Sequence, residues 1–306
     1  NIQRINMGNT LLEKYGPLFK EMLAQSKAAA KIDETKVYEE ANPNTKKYMD
    51  KLLDENLRAD SGLKNPEAFK AFYEAVVKEG KTGLILMEHY TNLDLPEIVY
   101  LLDKHGEDWS KDFSKRIVAV AGMKLNEENP AVRAFAEGFT RVVIYPTRSL
   151  DAVNAKQISE EEKAEEEKRA RKINFAAMRA MDECKKRGQV ILVFPSGTRY
   201  RPGCPETKKG LREIDSYLRL FDVMILVAKN GQCLRIDMNK PGDMLADTVE
   251  QDTITLTASP LIECKKFRQE ILDALPPDTP DPKQKTVDRC MEILEEMHEN
   301  EEKNRK

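Results

Sequence analysis

The sequence has few cysteines and no long apolar run. Its five cysteines are scattered through 306 residues without CxxC spacing, so neither a disulfide framework nor a zinc site is indicated. No apolar segment approaches the roughly 20 residues that a membrane-spanning helix requires, and the amino terminus shows no secretory signal pattern. We therefore expect a cytoplasmic protein, one that would meet a membrane only peripherally, at its surface.

An excess of basic residues is also missing. The formal net charge is -3, which argues against a general nucleic-acid partner. There is no glycine-rich nucleotide loop, no His/Glu metal pattern and no Gly-x-Ser-x-Gly nucleophile elbow. With 40% hydrophobic and 34% charged residues, the composition is typical of a globular protein with a heavily solvated surface.

The first part of the chain is predicted to be helical. Apolar residues recur at helical spacing over 10–23 and 45–57. A third helix is expected to begin after Asn65, as its cap, and to stop at Gly80. Charged residues interrupt every one of these helices, so residues 1–80 are interpreted as a small helical bundle rather than a membrane-inserting hairpin.

After this region, short apolar strands alternate with helical stretches over residues 81–306. This alternation predicts an α/β domain with a mostly parallel central sheet flanked by helices. Strands are expected at 83–88, 116–121, 141–145, 189–194 and 223–228, with an edge strand at 252–257. Helices are expected at 159–172, 174–187 and 283–299.

The run Gly83 to Met87 is apolar throughout, which is typical of a strand buried on both faces. His89 follows it directly, at the kind of strand end where α/β proteins build their sites. Neutral imidazole suits a general base near pH 7, and Asp94 is placed to hold the required tautomer. The alternative for His89 is a structural histidine in a loop. The other two histidines are also interpreted as structural, His105 as a helix-end residue before Gly106 and His298 as part of the charged tail.

Arginines follow two other predicted strands. Arg199 and Arg201 lie just beyond the strand at 189–194, and Arg148 lies just beyond the strand at 141–145. Guanidinium groups present fork-shaped donors to phosphate, and a dianion is held well only by more than one cation. The three arginines are therefore predicted to form an anion pocket.

The two motifs together resemble those of the glycerolipid acyltransferase family. That family carries His-x-x-x-x-Asp after one strand, matched here by His89 and Asp94, and Phe-Pro-x-Gly-Thr-Arg after a later one, matched by 194–199. The run from Pro195 to Pro202 is similar to the Pro-Ser-Gly-Gly-Arg-Asp-Arg-Pro stretch of soluble plastid glycerol-3-phosphate acyltransferases. In that group a helical bundle precedes an α/β catalytic domain, and the arginines bind phosphate.

The resemblance implies transfer of a fatty acyl group from acyl-carrier protein or acyl-CoA to the 1-hydroxyl of glycerol 3-phosphate, the first step of phospholipid biosynthesis. The thioester carries the activation, so no cofactor is expected. Backbone N–H groups of Ser196, Gly197 and Thr198 are candidate oxyanion donors, although the same residues also fit an ordinary turn. Thr198 matches the wider family, which leaves lysophosphatidate open as an acceptor. A phosphate- or lipid-binding protein that retains the fold is the non-enzymatic alternative.

Overall fold

The computed structural model describes residues 9–127, 129–154 and 159–305. These residues form two compact units that alternate along the chain. Of the described residues, the first unit contains 9–15, 52–117 and 188–305, and the second contains 16–51, 118–127, 129–154 and 159–187. The division at residue 80 into a helical bundle and an α/β domain stays a prediction.

Helices and strands are interspersed along the described residues. In chain order, the helices are α1 (Leu11–Gln25), α2 (Pro43–Asn56), α3 (Pro66–Val77), α4 (Asp94–His105), α5 (Asp108–Arg116), α6 (Lys124–Glu127), α7 (Pro130–Ala136), α8 (Thr147–Asn154), α9 (Glu160–Lys186), α10 (Ile214–Leu220), α11 (Cys264–Ala274) and α12 (Pro282–Asn304). The strands are β1 (Tyr38–Glu39), β2 (Gly62–Leu63), β3 (Gly83–Met87), β4 (Ile117–Gly122), β5 (Arg141–Ile144), β6 (Val190–Val193), β7 (Val223–Asn230), β8 (Leu234–Arg235), β9 (Thr248–Val249), β10 (Thr255–Ala258) and β11 (Ile262–Glu263).

Strand β3 is central in the sheet of the first unit. It pairs in parallel with β6 on one side and with β7 on the other. Strand β7 then pairs antiparallel with β10 and β11, and β10 pairs in parallel with β2. Every residue of β3, β6 and β7 is buried, as expected for apolar strands covered on both faces. The predicted α/β class, with a mostly parallel sheet flanked by helices, is confirmed.

Helix α3 lies directly against β3, and Gly83 allows this close approach. A Cβ atom at Gly83 would come within 2.6 Å of Cγ2 of Val76 and 2.8 Å of Cζ of Phe72. Any larger residue would therefore push the helix away from the strand that leads to His89.

The second unit contains its own strands and the longest helix. Strand β4 pairs in parallel with β5, and β1 pairs antiparallel with β5. Arg141 of β5 is buried and forms an ion pair with Glu39 of β1. Helix α9 begins with a capping box in which Ser159 and Glu162 bond to each other's backbone.

Four details differ from the sequence-based expectations. The charged run and the segment after it form one helix, α9, because no breaking residue separates them. Strand β10 is not an edge strand, since the two-residue β2 continues the sheet beyond it. Asn65 does not cap α3 through its side chain, which instead bonds to both backbone polar groups of Ala258. Helix α12 continues to Asn304, five residues beyond its predicted end.

Helix α1 continues through Pro17 without interruption. In the part of the chain that the structure describes, no helix has both the length and the apolar composition needed to cross a bilayer.

Candidate active site

The parallel pairing of β3 and β6 brings the two sequence motifs to one edge of the sheet. Leu86 is in register with Val193, so His89 and Phe194 both emerge just beyond the paired ends. The rings of His89 and Phe194 stack with their centroids 4.1 Å apart and their planes 16° from parallel. The N–H of Tyr200 donates a 2.7 Å hydrogen bond to the carbonyl of His89, which ties the second loop to the first.

His89 and Asp94 form a hydrogen-bonded pair. Nδ1 of His89 lies 2.8 Å from Oδ2 of Asp94, and the same oxygen accepts the N–H groups of Tyr90 at 2.6 Å and Thr91 at 2.9 Å. Asp94 is fully buried at the start of α4, where the helix dipole favours a negative charge. Because the carboxylate accepts at Nδ1, this nitrogen carries the proton and Nε2 has the free lone pair.

A buried lysine lies on the other side of Asp94. Nζ of Lys229 is 2.5 Å from Oδ1 of Asp94 and 2.5 Å from Oε2 of Glu97, and all three side chains are fully buried. Burial alone would raise the pKa of Asp94, but Lys229 and His89 outweigh it and hold that pKa well below its ordinary value. Burial raises the pKa of Glu97, with Lys229 acting in the opposite direction. Burial also raises the pKa of Cys233, whose thiol donates to Glu97 at 3.3 Å.

The sequence patterns predict no role for Lys229 or Glu97. The strand ending at 228 was predicted to stop one residue before the lysine, whereas β7 continues to Asn230. The sequence feature that could have indicated Lys229 is a single lysine directly after an apolar run. A lysine at such a position needs a buried carboxylate partner, because an unpaired charge is rarely buried.

The turn after β6 depends on Gly197. Its φ of +62° lies in the left-handed region, and a Cβ there would approach Cδ1 of Leu211 to 2.4 Å. Its N–H donates to the carbonyl of Phe194 at 2.9 Å, while the Ser196 hydroxyl donates to the carbonyl of Thr198 at 2.7 Å. The N–H groups of Ser196 and Thr198 make no hydrogen bond within the described residues.

Arg199 is engaged inside the protein. Its guanidinium forms an ion pair with Asp247, donates to the carbonyl of Pro241 at 3.1 Å, and is almost fully buried. Burial raises the pKa of Asp247, although the arginine opposes this effect. Asp247 is not predicted from the sequence, since nothing in the local pattern around it points to a partner 48 positions away.

Arg201 and Arg148 differ from Arg199 in their surroundings. The side chain of Arg201 is partly exposed, and its buried Nε has no hydrogen-bond partner within the described residues. Arg148 is the second residue of α8 in the second unit, and it is exposed. The phosphate-binding role of the three arginines stays a prediction.

A small pocket lies beside His89 in the first unit. Its enclosed volume is about 10 Å³, room for roughly one water molecule. The loops contribute Glu88, His89, Tyr90, Pro195, Ser196, Tyr200 and Lys208 to its lining, and α12 contributes Met291 and Leu294. The pocket is thus polar on the loop side and apolar on the helix side.

Glu88 connects this pocket to α12. Its carboxylate lies 3.0 Å from Nδ1 of His298 and accepts the hydroxyl of Tyr90 at 2.9 Å. Burial alone would lower the pKa of His298, but the ion pair with Glu88 outweighs it and raises that pKa. His298, interpreted from sequence as a histidine of the charged tail without a comparable neighbour, therefore has a carboxylate partner.

Comparison with known proteins finds no matching family model and no matching curated protein. Among the residues that the structure describes, no three His, Cys, Asp or Glu side chains group together in a way that would hold a metal ion.

Proposed function

We propose that the protein is an acyltransferase that moves a fatty acyl group from acyl-carrier protein or acyl-CoA to the 1-hydroxyl of glycerol 3-phosphate. The observation that carries the proposal is the 2.8 Å contact between Nδ1 of His89 and the buried carboxylate of Asp94, beside the Ser196 turn. His89 follows the carboxyl end of β3, and the Ser196 turn follows the carboxyl end of β6, which pairs with β3 in parallel. The carboxyl ends of parallel strands are where α/β proteins build their sites.

In the proposed reaction, Nε2 of His89 removes the proton from the acceptor hydroxyl as its oxygen attacks the thioester carbonyl carbon. Asp94 keeps the proton on Nδ1 and stabilises the imidazolium that forms. The C–S bond then breaks, and the thiolate takes the proton from Nε2. The products are an ester and a free thiol, and the histidine returns to its starting state.

The negative charge on the former carbonyl oxygen requires donors at the moment of attack. The unbonded N–H groups of Ser196 and Thr198 are the candidates that the turn offers. The buried Asp94 carboxylate is held by several donors, so the base needs little reorganisation before it acts.

The test is thioester consumption by the purified protein. Glycerol 3-phosphate is compared with lysophosphatidate as acceptor, and acyl-carrier protein with coenzyme A as carrier of the acyl group. The proposal expects thiol release that depends on glycerol 3-phosphate and exceeds the release seen with lysophosphatidate. A preference for lysophosphatidate would instead indicate a 1-acylglycerol-3-phosphate acyltransferase. Binding of glycerol 3-phosphate without thiol release from any donor would favour the non-catalytic alternative.

A further inference from the structure

The cation that faces the pocket beside His89 is Lys208. The guanidinium of Arg199 is buried against Asp247, and neither Arg199 nor Arg201 lines the pocket. Lys208 does line it, together with Tyr90 and Tyr200. An anionic acceptor that places its hydroxyl at His89 would meet this ammonium group.

The two tyrosines hold Lys208 in place. Its Nζ lies 5.3 Å from the ring centroid of Tyr200 and 5.8 Å from that of Tyr90, distances at which a ring face attracts a cation. The two rings meet edge to face with centroids 5.8 Å apart. Tyr90 follows His89 directly, and the Tyr200 backbone bonds to the His89 carbonyl, so the cation and the imidazole are positioned by the same two loops.

Lys208 already has an anionic partner, Glu295 of α12. The two side chains form an ion pair in which the lysine is 27% exposed and the glutamate 42% exposed. A pair this open to solvent contributes little to stability, so an anion with more charge can replace the carboxylate at small cost. A phosphomonoester carries up to two negative charges where the carboxylate carries one.

We propose that Lys208 is the phosphate ligand of the acceptor site and that the Glu295 carboxylate occupies the phosphate position when the site is empty. This inference rests on the proposed function, because it assigns the phosphate of the same acceptor. Lys208 and Glu295 both lie outside the two sequence motifs.

The experiment measures binding of glycerol 3-phosphate by ³¹P NMR line broadening, which needs no turnover. Lys208→Met is expected to weaken binding by about tenfold, the scale of one charge-assisted contact, and Lys208→Arg to weaken it less. Glu295→Gln is expected to tighten binding by about two- to fivefold, because the competing carboxylate is gone.

Two matched controls remove the same charges at neighbouring positions. Lys209 is exposed and forms no ion pair within the described residues, so Lys209→Met should leave binding unchanged. Glu296 pairs with Arg289 rather than Lys208, and Glu296→Gln should likewise have no effect. Circular dichroism of each variant establishes that it is folded.

The inference is overturned if Lys208→Met binds glycerol 3-phosphate like the wild type, or if it weakens binding no more than Lys209→Met. It is also overturned if Glu295→Gln weakens binding. Kinetics separate it from the proposed function. If Lys208→Met turns over with an unchanged KM for glycerol 3-phosphate, the role of Lys208 is rejected and the proposed acyltransferase function stands. If binding of glycerol 3-phosphate depends on Lys208 but no thiol is released, the acyltransferase function is rejected and the anion site stands.

Discussion

The carboxylate of Asp94 is held by a buried lysine as well as by the histidine that it orients. Lys229 contacts Asp94 and Glu97 at 2.5 Å each, and none of the three side chains reaches solvent. Charges taken so far from water are tolerated only when each has a partner, so the lysine is needed to keep both carboxylates in this position.

Lys229→Met is therefore expected to lower the free energy of unfolding by about 3–5 kcal/mol, because it leaves two carboxylates buried without their cation. Urea unfolding followed by circular dichroism measures the change. The control is Lys104→Met, which removes an exposed pair with Asp54 and should cost less than about 1 kcal/mol. Equal losses in the two variants would show that the buried lysine is not required.

Helix α12 is joined to the end of β3 by the pair of His298 and Glu88. The raised pKa of His298 makes the strength of this attachment depend on pH. A histidine whose pKa rises on folding stabilises the folded state fully below its unfolded pKa, near 6.5, and loses that contribution as the pH rises through the folded value.

His298→Leu should accordingly destabilise the protein by about 1 kcal/mol more at pH 5.5 than at pH 9. Urea unfolding at the two pH values is the measurement. Met297→Leu, at the preceding position of α12, changes no charge and should give the same difference from the wild type at both. A His298→Leu loss that is larger at pH 9 would contradict the assigned ion pair.

At the level of the whole molecule, the sequence predicts those features of the fold and the site that depend on one short stretch of chain. Five largely apolar runs predicted β3 to β7, because strands inside a sheet covered by helices are mostly apolar. The contact between His89 and Asp94 was predictable for a related reason, since they are five positions apart at one strand end. Both features depend only on short stretches of chain.

The partners of the site were not predictable in the same way. Lys229 meets Asp94 across 135 positions, and His298 meets Glu88 across 210. A polar side chain carries no local mark of a partner that distant, and a helix ending in charged residues is read as solvated.

The most direct test of the account is the rate of thioester consumption by His89→Ala with glycerol 3-phosphate as acceptor. The account predicts a rate lower than that of the wild type by about 10² to 10⁴, the usual contribution of a general base, with binding of glycerol 3-phosphate preserved. An unchanged rate in His89→Ala, or no consumption by the wild type with any acceptor and donor, would contradict it.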